Sequence, residues 1–461
     1  MSISISQSTP ASTLNLNISK IRLAIPALSQ TYQNNPVVYL NGPGGTQVPS
    51  CVSEAMANYL LHSNSNIGAP FPASEKTVEL MDQARSAMRL FLNAKSNKEI
   101  SFGLNMTSLT FQFSRVLAQT WKKGDQIILT DLDHDSNISP WVLAAQERGV
   151  EVKYWPLDLK TMNLNLKDLE KLLNKNTRLV CFTMASNLLG SVPDLDLIIK
   201  TIHQAGALVF LDATHACAHF SINVQQLNCD FLVCSAYKFS GPHLGVLYSK
   251  LELLDYLIPK IYHSPYHSQW ELGTQNFEAL SGLLAILKYK SSMLGPESLS
   301  LNKENLENSM TAIFNYEKIL IQQFLQGLKN ISNISLYGLS LDQLNQLNQL
   351  SEDYLDNKKP LRTPTFALRI NNKTPQETAE YFAQKGFFTA GGFFHCSRLI
   401  KTLGLENQGG IWRMGLAYYN TAQEVDALLN AISDLVKPSF NSSSSSSSSS
   451  KLNLLETSQS L

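Results

Sequence analysis

LVFLDATHA at 208–216 and FLVCSAYKFSGPHLG at 231–245 decide the fold. Each opens as a short apolar run bounded by polar residues or glycine, the pattern of a strand buried on both faces. Each then ends on a group that a buried strand does not carry idly. The first stops at Asp212, and the second runs through Ala236 and Tyr237 into Lys238. A carboxylate at the end of a buried strand needs a cationic or hydrogen-bonding partner. Lysine is rarely buried without one.

The same texture recurs outward at 100–104 (ISFGL), 126–131 (QIILTD), 150–155 (VEVKYW), 179–185 (LVCFTMA) and 245–249 (GVLYS). Longer amphipathic stretches separate most of these runs. In 75–94, Val78, Met81, Met88, Phe91 and Leu92 approximate helical spacing behind an expected N-cap at Ser74. Strand–helix–strand alternation of this kind predicts an α/β fold, with a mainly parallel sheet of seven strands and helices on both faces. Such sheets bind ligands at the carboxyl ends of their strands. Beyond about residue 290 the texture becomes α+β: helices over 304–329, 376–386 and 422–435, and strands near 333–337 and 364–370. LDQLNQLNQL (341–350) repeats leucine every third residue and reads as a short amphipathic helix or an elaborated loop without chemistry.

Composition narrows the functions. Among 461 residues, 37 Lys+Arg balance 37 Asp+Glu, 44% are apolar and 16% charged. The apolar content supports a large core and excludes fibrous and fully disordered classes. Zero net charge argues against a nucleic-acid partner, whose phosphates need Lys and Arg to neutralise them. No apolar run approaches the roughly 20 residues of a membrane span, and MSISISQSTPASTLNLN lacks the basic start and apolar run of a secretory signal. Six cysteines (Cys51, Cys181, Cys217, Cys229, Cys234, Cys396) without a C-x-x-C pair fit free thiols in a reducing cytoplasm. Residues 1–17 and the serine-rich 438–461 read as disordered ends. The chain is expected to be a soluble enzyme.

An acid and a lysine on neighbouring strand ends suit pyridoxal 5'-phosphate. The amine forms a Schiff base, and the acid keeps the pyridine nitrogen protonated. A carboxylate about 4 Å from the pyridinium contributes about 4 kcal/mol at an effective dielectric of about 20. That raises the nitrogen's pKa by roughly three pH units. SFGLNMTSLTF (101–111) reads as strand, turn and helix, whose first N–H groups at Met106, Thr107 and Ser108 make an anion site for the phosphate.

Two other chemistries fit the residues less well. In VVYLNGPGGTQVP, Gly42 and Gly44 are followed by Gln47 where a dinucleotide-binding turn needs its third glycine. His215 with His219, and His263 with His267, have a spacing that can bind metal on a helix, but neither pair has a convincing third ligand. No metal is expected.

The order of these blocks resembles the class V aminotransferase-like pyridoxal-phosphate enzymes of fold type I, and within them the cysteine desulfurase-like family. The resemblance spans roughly 38–435. It rests on NGPGGTQVP (41–49), NMTS (105–108), DLDHDSNISPW (131–141), ASNLLGSV (185–192), LDATHA (211–216), SAYKFSGPHLGVLY (235–248), ELGTQN (271–276) and WRMGLAYYNTAQEVDAL (412–428). It implies a large cofactor-binding domain over 38–290 and a small domain formed by 291–437 with an N-terminal part from 18–37. Lys238 would carry the cofactor as an internal aldimine and later shuttle the substrate's α-proton. Asp212 would pair with the pyridinium, and His134 would stack on the ring. Asn187 would address the ring's 3-oxygen, and His215 that oxygen or the Schiff base. Met106, Thr107, Ser235 and Tyr237 would surround the phosphate, Tyr237 replacing the family's usual histidine. Thr274 would reach the phosphate of the other subunit, making the active unit a homodimer with shared sites. Arg413 would grip the substrate's α-carboxylate, since a planar fork suits two oxygens.

A desulfurase needs a thiolate to take sulfur from L-cysteine, leaving alanine and an enzyme persulfide that a sulfur-acceptor protein unloads. The candidate is Cys396 in TAGGFFHCSRLI. Aligned without a gap from Gly392, the family's cysteine falls on His395, and the usual preceding arginine is absent at Thr389 and Ala390. With HSNSNIGAPFPAS (62–74), these departures resemble a divergent branch whose members need not desulfurise. Three readings therefore stand: sulfur removal from L-cysteine; an aminotransferase, epimerase or lyase that does not use Cys396; and a non-catalytic scaffold, against which Lys238, Asp212, His134 and Arg413 together argue.

Overall fold

The computed structural model describes residues 15–254, 270–296, 300–350 and 360–437. The expected disordered ends fall outside these apart from 15–17, and the His263–His267 pair lies outside them too. A seven-stranded sheet dominates, formed by β1 (Ile100–Gly103), β2 (Gln126–Thr130), β3 (Glu151–Trp155), β4 (Thr177–Thr183), β5 (Leu208–Asp212), β6 (Phe231–Ser235) and β7 (Gly245–Ser249). Their spatial order is β1-β7-β6-β5-β4-β2-β3, and only β7 runs antiparallel to its neighbours.

Period-two alternation splits the strand residues between two cores. Ile127, Leu129, Leu179, Phe210 and Val233 meet Phe113 and Trp141, which lie on helices α2 (Met106–Leu117) and α3 (Ser139–Arg148). Ile128, Val180, Val209, Leu211 and Leu232 face the other way, toward α1 (Pro72–Leu92) and α4 (Phe277–Ser292). Helices on both faces are thus the direct consequence of central strands that are apolar at most positions.

The start of α1 corrects one expectation. Its N-cap is Phe71, and Pro72 occupies the first turn, where its missing N–H leaves nothing unsatisfied. Ser74 lies inside the helix, and its hydroxyl accepts the Ala69 N–H at 3.0 Å.

A second, four-stranded antiparallel sheet has the order β8 (Ile334–Tyr337), β9 (Thr365–Ile370), β11 (Ile411–Gly415), β10 (Ala390–Gly392). Helices α5 (Lys303–Leu328) and α6 (Ala422–Val436) close its core through Leu320, Phe324, Leu428 and Ile432 against Phe366, Leu368 and Trp412. LDQLNQLNQL is helical over Leu341–Leu350. Val38–Tyr39 pairs with Phe387–Phe388, and Asn41 bridges Gly415, so the approach to the NGPGG segment pairs with the C-terminal part of the chain. Among the described residues, no helix is long and apolar enough to cross a membrane.

Candidate active site

Asp212 ends β5 with its Cα in register with Val233 of β6, and Lys238 stands on the single 3-10 turn Ala236–Phe239 that follows β6. Both side chains therefore emerge on the carboxyl edge of the sheet, where they line one cavity of about 880 Å³. The NGPGGT loop wraps that turn. The Thr46 hydroxyl donates to the carbonyls of Tyr237 or Lys238 (3.1 Å each) and accepts the Ser240 N–H at 2.7 Å. The Lys238 ammonium donates to the Pro43 carbonyl. Burial, and next the Arg413 charge, bring Lys238 down to about 7, with Asp212 opposing the shift. Burial raises Asp212, while hydrogen bonds from Thr214 and the Lys238 charge hold it back.

Around this pair stand the other expected groups. His134 caps the turn after β2, and its Nδ1 accepts the Ser136 N–H at 3.0 Å, which places the neutral ring's proton on Nε2. Burial and the neighbouring His395, Lys238 and Arg413 lower His134 to about 3, so it offers an uncharged flat face. Beneath it, Asn137 donates to Asp133 at 2.7 Å and accepts from Trp141 at 3.1 Å, which anchors the loop to the core. His215 lines the cavity, but its Nε2 lies 3.0 Å and 2.9 Å from the hydroxyls of Thr363 and Thr365.

One end of the cavity is an anion site. Helix α2 is capped by Asn105, whose side chain accepts the Ser108 N–H at 2.9 Å, and the Met106 N–H donates to Ser235 at 3.0 Å. That leaves the Thr107 N–H and hydroxyl without a partner among the described residues, at the positive end of the helix dipole. Tyr237 stands opposite, its ring stacked on His243 with centroids 4.8 Å apart. The Pro43–Gly44 turn approaches so closely that a Cβ on Gly44 would lie 2.5 Å from the Asn41 side chain.

Arg413 projects from β11, where burial lowers it to about 10 while the Cys396 thiol and the Tyr237 hydroxyl oppose the shift. It donates to the Asn187 carbonyl at 3.1 Å and to the Asn41 side chain at 3.2 Å, and the Phe394 ring covers it at 3.8 Å. Its buried Nε has no hydrogen-bond partner among the described residues. A guanidinium with an unused donor facing a cavity is a receptor for a carboxylate.

Two expected residues are not on the cavity wall. Thr274 is exposed on the segment before α4. Cys396 is fully buried: its thiol donates to the Asn187 side chain at 3.1 Å, and burial pushes it up to about 12. The Asn187 amide is tied to the same loop, donating to the Phe394 carbonyl at 3.3 Å. The wall instead receives Phe393, Phe394 and His395 from that loop, and His243 from GPHLG. His243 and His395 could have been suspected as imidazoles beside quoted motifs; nothing in the sequence marks Phe394. The metal spacing of His215 and His219 is used otherwise, since His219 pairs with Glu317 at 2.8 Å. Among the described residues no group of three His, Cys, Asp or Glu side chains is placed to hold a metal ion.

An amine, a buried carboxylate, a flat neutral ring and an anion site around one cavity match pyridoxal phosphate group for group. The sheet and this site define a pyridoxal-phosphate enzyme of fold type I. The chain belongs to the aminotransferase class-V family, whose model matches residues 38–428. It is 29% identical over 444 residues to a cysteine desulfurase of Synechococcus elongatus, covering 92% of this chain but 64% of that protein, so it spans less than two thirds of that relative's length. It is also 29% identical over 437 residues to the aminotransferase-like protein FGM3 of Gibberella zeae, covering 91% of this chain and 99% of the relative. Among solved structures, the apo cysteine desulfurase of Thermococcus onnurineus superposes with a TM-score of 0.76 at 24% identity, over 92% of this chain and 98% of that one.

Proposed function

We propose that this cysteine desulfurase-like enzyme acts at the Cα of a small α-amino acid, and that it works as a cytoplasmic homodimer in which Thr274 reaches the partner's phosphate site. Pyridoxal phosphate, once joined to an amino acid, withdraws electrons from Cα. Lys238 is the amine that joins the cofactor's aldehyde, and with a pKa of about 7 it can hold or release a proton at Nζ near neutrality. Asp212 keeps the ring nitrogen protonated, His134 provides the face against which the ring lies, and Thr107, Ser235 and Tyr237 hold the phosphate. Arg413 takes the substrate's carboxylate. The observation that carries this reading is that Lys238 and Asp212 face one cavity from neighbouring strand ends.

L-cysteine is the first substrate to try, on the likeness to named desulfurases. In the route expected from that likeness, Cys396 accepts the sulfur and passes it to an acceptor protein. A second route, without Cys396, is favoured by the buried, hydrogen-bonded thiol. The purified protein should be yellow, and Lys238→Ala should abolish the visible band. Alanine formation lost in Cys396→Ser would establish the first route, and turnover retained in that variant the second. A colourless protein that takes up no cofactor would sink the assignment.

A further inference from the structure

The loop 393–396 turns on two consecutive non-glycine residues in the left-handed region, Phe394 at φ 55° and His395 at φ 53°. Such conformations persist where the surroundings over-determine them, and they cluster at functional sites. Here the surroundings do so. The Asp135 N–H donates to the His395 carbonyl at 2.6 Å, Asn187 donates to the Phe394 carbonyl at 3.3 Å, and the Cys396 N–H donates to the Phe393 carbonyl at 3.1 Å. Past the turn, Ser397 donates to Asp135 at 2.6 Å, and Arg398 donates to Asp131 at 2.8 and 3.0 Å. The result is that the imidazole of His395 lines the cavity, while the next side chain, Cys396, is sealed beneath it.

The His395 ring lies 5.2 Å from that of His134 and makes no hydrogen bond to a described residue. The other ionisable groups on the wall have places of their own: Lys238, Asp212 and His134 are assigned to the ring, Tyr237 to the phosphate and Arg413 to the carboxylate. His215 lies within hydrogen-bond distance of Thr363 and Thr365, and His243 stacks on Tyr237. Among the described residues, that leaves His395 for the substrate's side chain.

We propose that His395 is the acid that protonates the group leaving Cβ of the substrate, so that this site carries out β-elimination on α-amino acids bearing a thiol or alkylthio substituent. The inference rests on the pyridoxal-phosphate reading above. Lys238 removes the Cα proton, the Cβ–S bond breaks with its electron pair going to sulfur, and His395 delivers the proton that sulfur needs to depart as a thiol. The carbons left behind form 2-aminoacrylate, which water converts to pyruvate and ammonia. L-cysteine and one water thus give pyruvate, ammonia and hydrogen sulfide, with no oxidant or reductant and no persulfide.

The test compares two substrates on the cofactor-loaded protein. L-cysteine needs a protonated leaving group, whereas the chloride of β-chloro-L-alanine departs without one. His395→Asn should lower kcat/KM for L-cysteine on the order of 10²-fold, the usual weight of a general acid, and by at least about tenfold more than for β-chloro-L-alanine. Equal losses on both would reduce His395 to a structural part of the loop and overturn the proposal. Alanine in place of pyruvate, with a persulfide mapped to Cys396, would overturn it as well. On protein without cofactor, diethyl pyrocarbonate should modify His395 while iodoacetamide spares Cys396, and the reverse pattern would contradict the loop geometry. A wild-type protein with neither colour nor turnover would remove the underlying cofactor reading instead.

Discussion

Lys238 and Asp212 face each other's electrostatic field across one cavity, from the ends of two parallel strands whose register places Asp212 beside Val233. Burial acts on both in opposite directions, lowering the lysine to about 7 and raising the carboxyl, while their mutual attraction holds each back. The pair is thus poised to exchange a water-poor environment for a ligand that uses both charges.

Cofactor uptake should report this directly. The lowered lysine is charged below about pH 7 and free above it, so the nucleophilic form grows as pH rises through that value. The rate at which cofactor-free protein turns yellow should climb between about pH 6 and 8 and then level off, since one unit either side of the pKa spans most of a titration. A rate that keeps rising toward pH ~10 would mean an ordinary, solvated lysine.

Asp212→Asn should still take up the cofactor and lose turnover on the order of 10²–10³-fold. An ion pair of about 4 kcal/mol disappears and the ring nitrogen's pKa falls by roughly three pH units. Steady-state kinetics beside an absorbance spectrum checks both halves. Activity within tenfold of wild type would show that the ring does not need this acid.

The loop that covers Arg413 hangs on Arg398, whose guanidinium grips Asp131 and lies 3.4 Å over the Tyr154 ring. Asp131→Ala removes the acceptor and also the partner of Thr402 at 3.3 Å. The loop should then sample open states. Alkylation of Cys396 should speed up at least about tenfold, and KM should rise more than kcat falls. Unchanged alkylation would place the restraint elsewhere.

Arg85 and Glu271 form a buried ion pair at 2.6 Å, and the second Glu271 oxygen accepts the Phe102 N–H at 2.9 Å. This fixes the segment carrying Thr274 to β1. Glu271→Ala leaves the buried guanidinium with only the exposed Asp82 carboxylate at 3.9 Å and should cost about 3–5 kcal/mol, seen as a thermal midpoint lower by several degrees. Arg85→Ala should cost less when added to it than alone, because the two share one interaction. Additive losses would show that the pair is not coupled.

All seven strands of the large sheet are legible in the sequence to within a residue or two at most ends, because strands buried on both faces must be apolar at nearly every position. The strand Ala390–Gly392 is not legible. Alanine and glycine carry no strand signature, and the segment is extended because β11 pairs with it. The start of α1 misleads for a related reason: Ser74 has capping chemistry, but Pro72 two residues earlier already fits a first turn.

His134, Asn187, His215, Ser235, Tyr237, Thr274 and Arg413 come from the resemblance of their motifs. Lys238, Asp212 and the helix start at Met106, Thr107 and Ser108 can be named from the chain alone, since a polar residue closing a buried apolar run needs a partner. Which way residues 393–396 face cannot. His395 and Cys396 are adjacent, and either could meet the substrate. Two left-handed backbone residues, and hydrogen bonds reaching from 135 and 187, decide that the imidazole points in and the thiol is sealed away. Backbone torsions of that kind are enforced by partners distant in sequence, so only the folded chain reveals them.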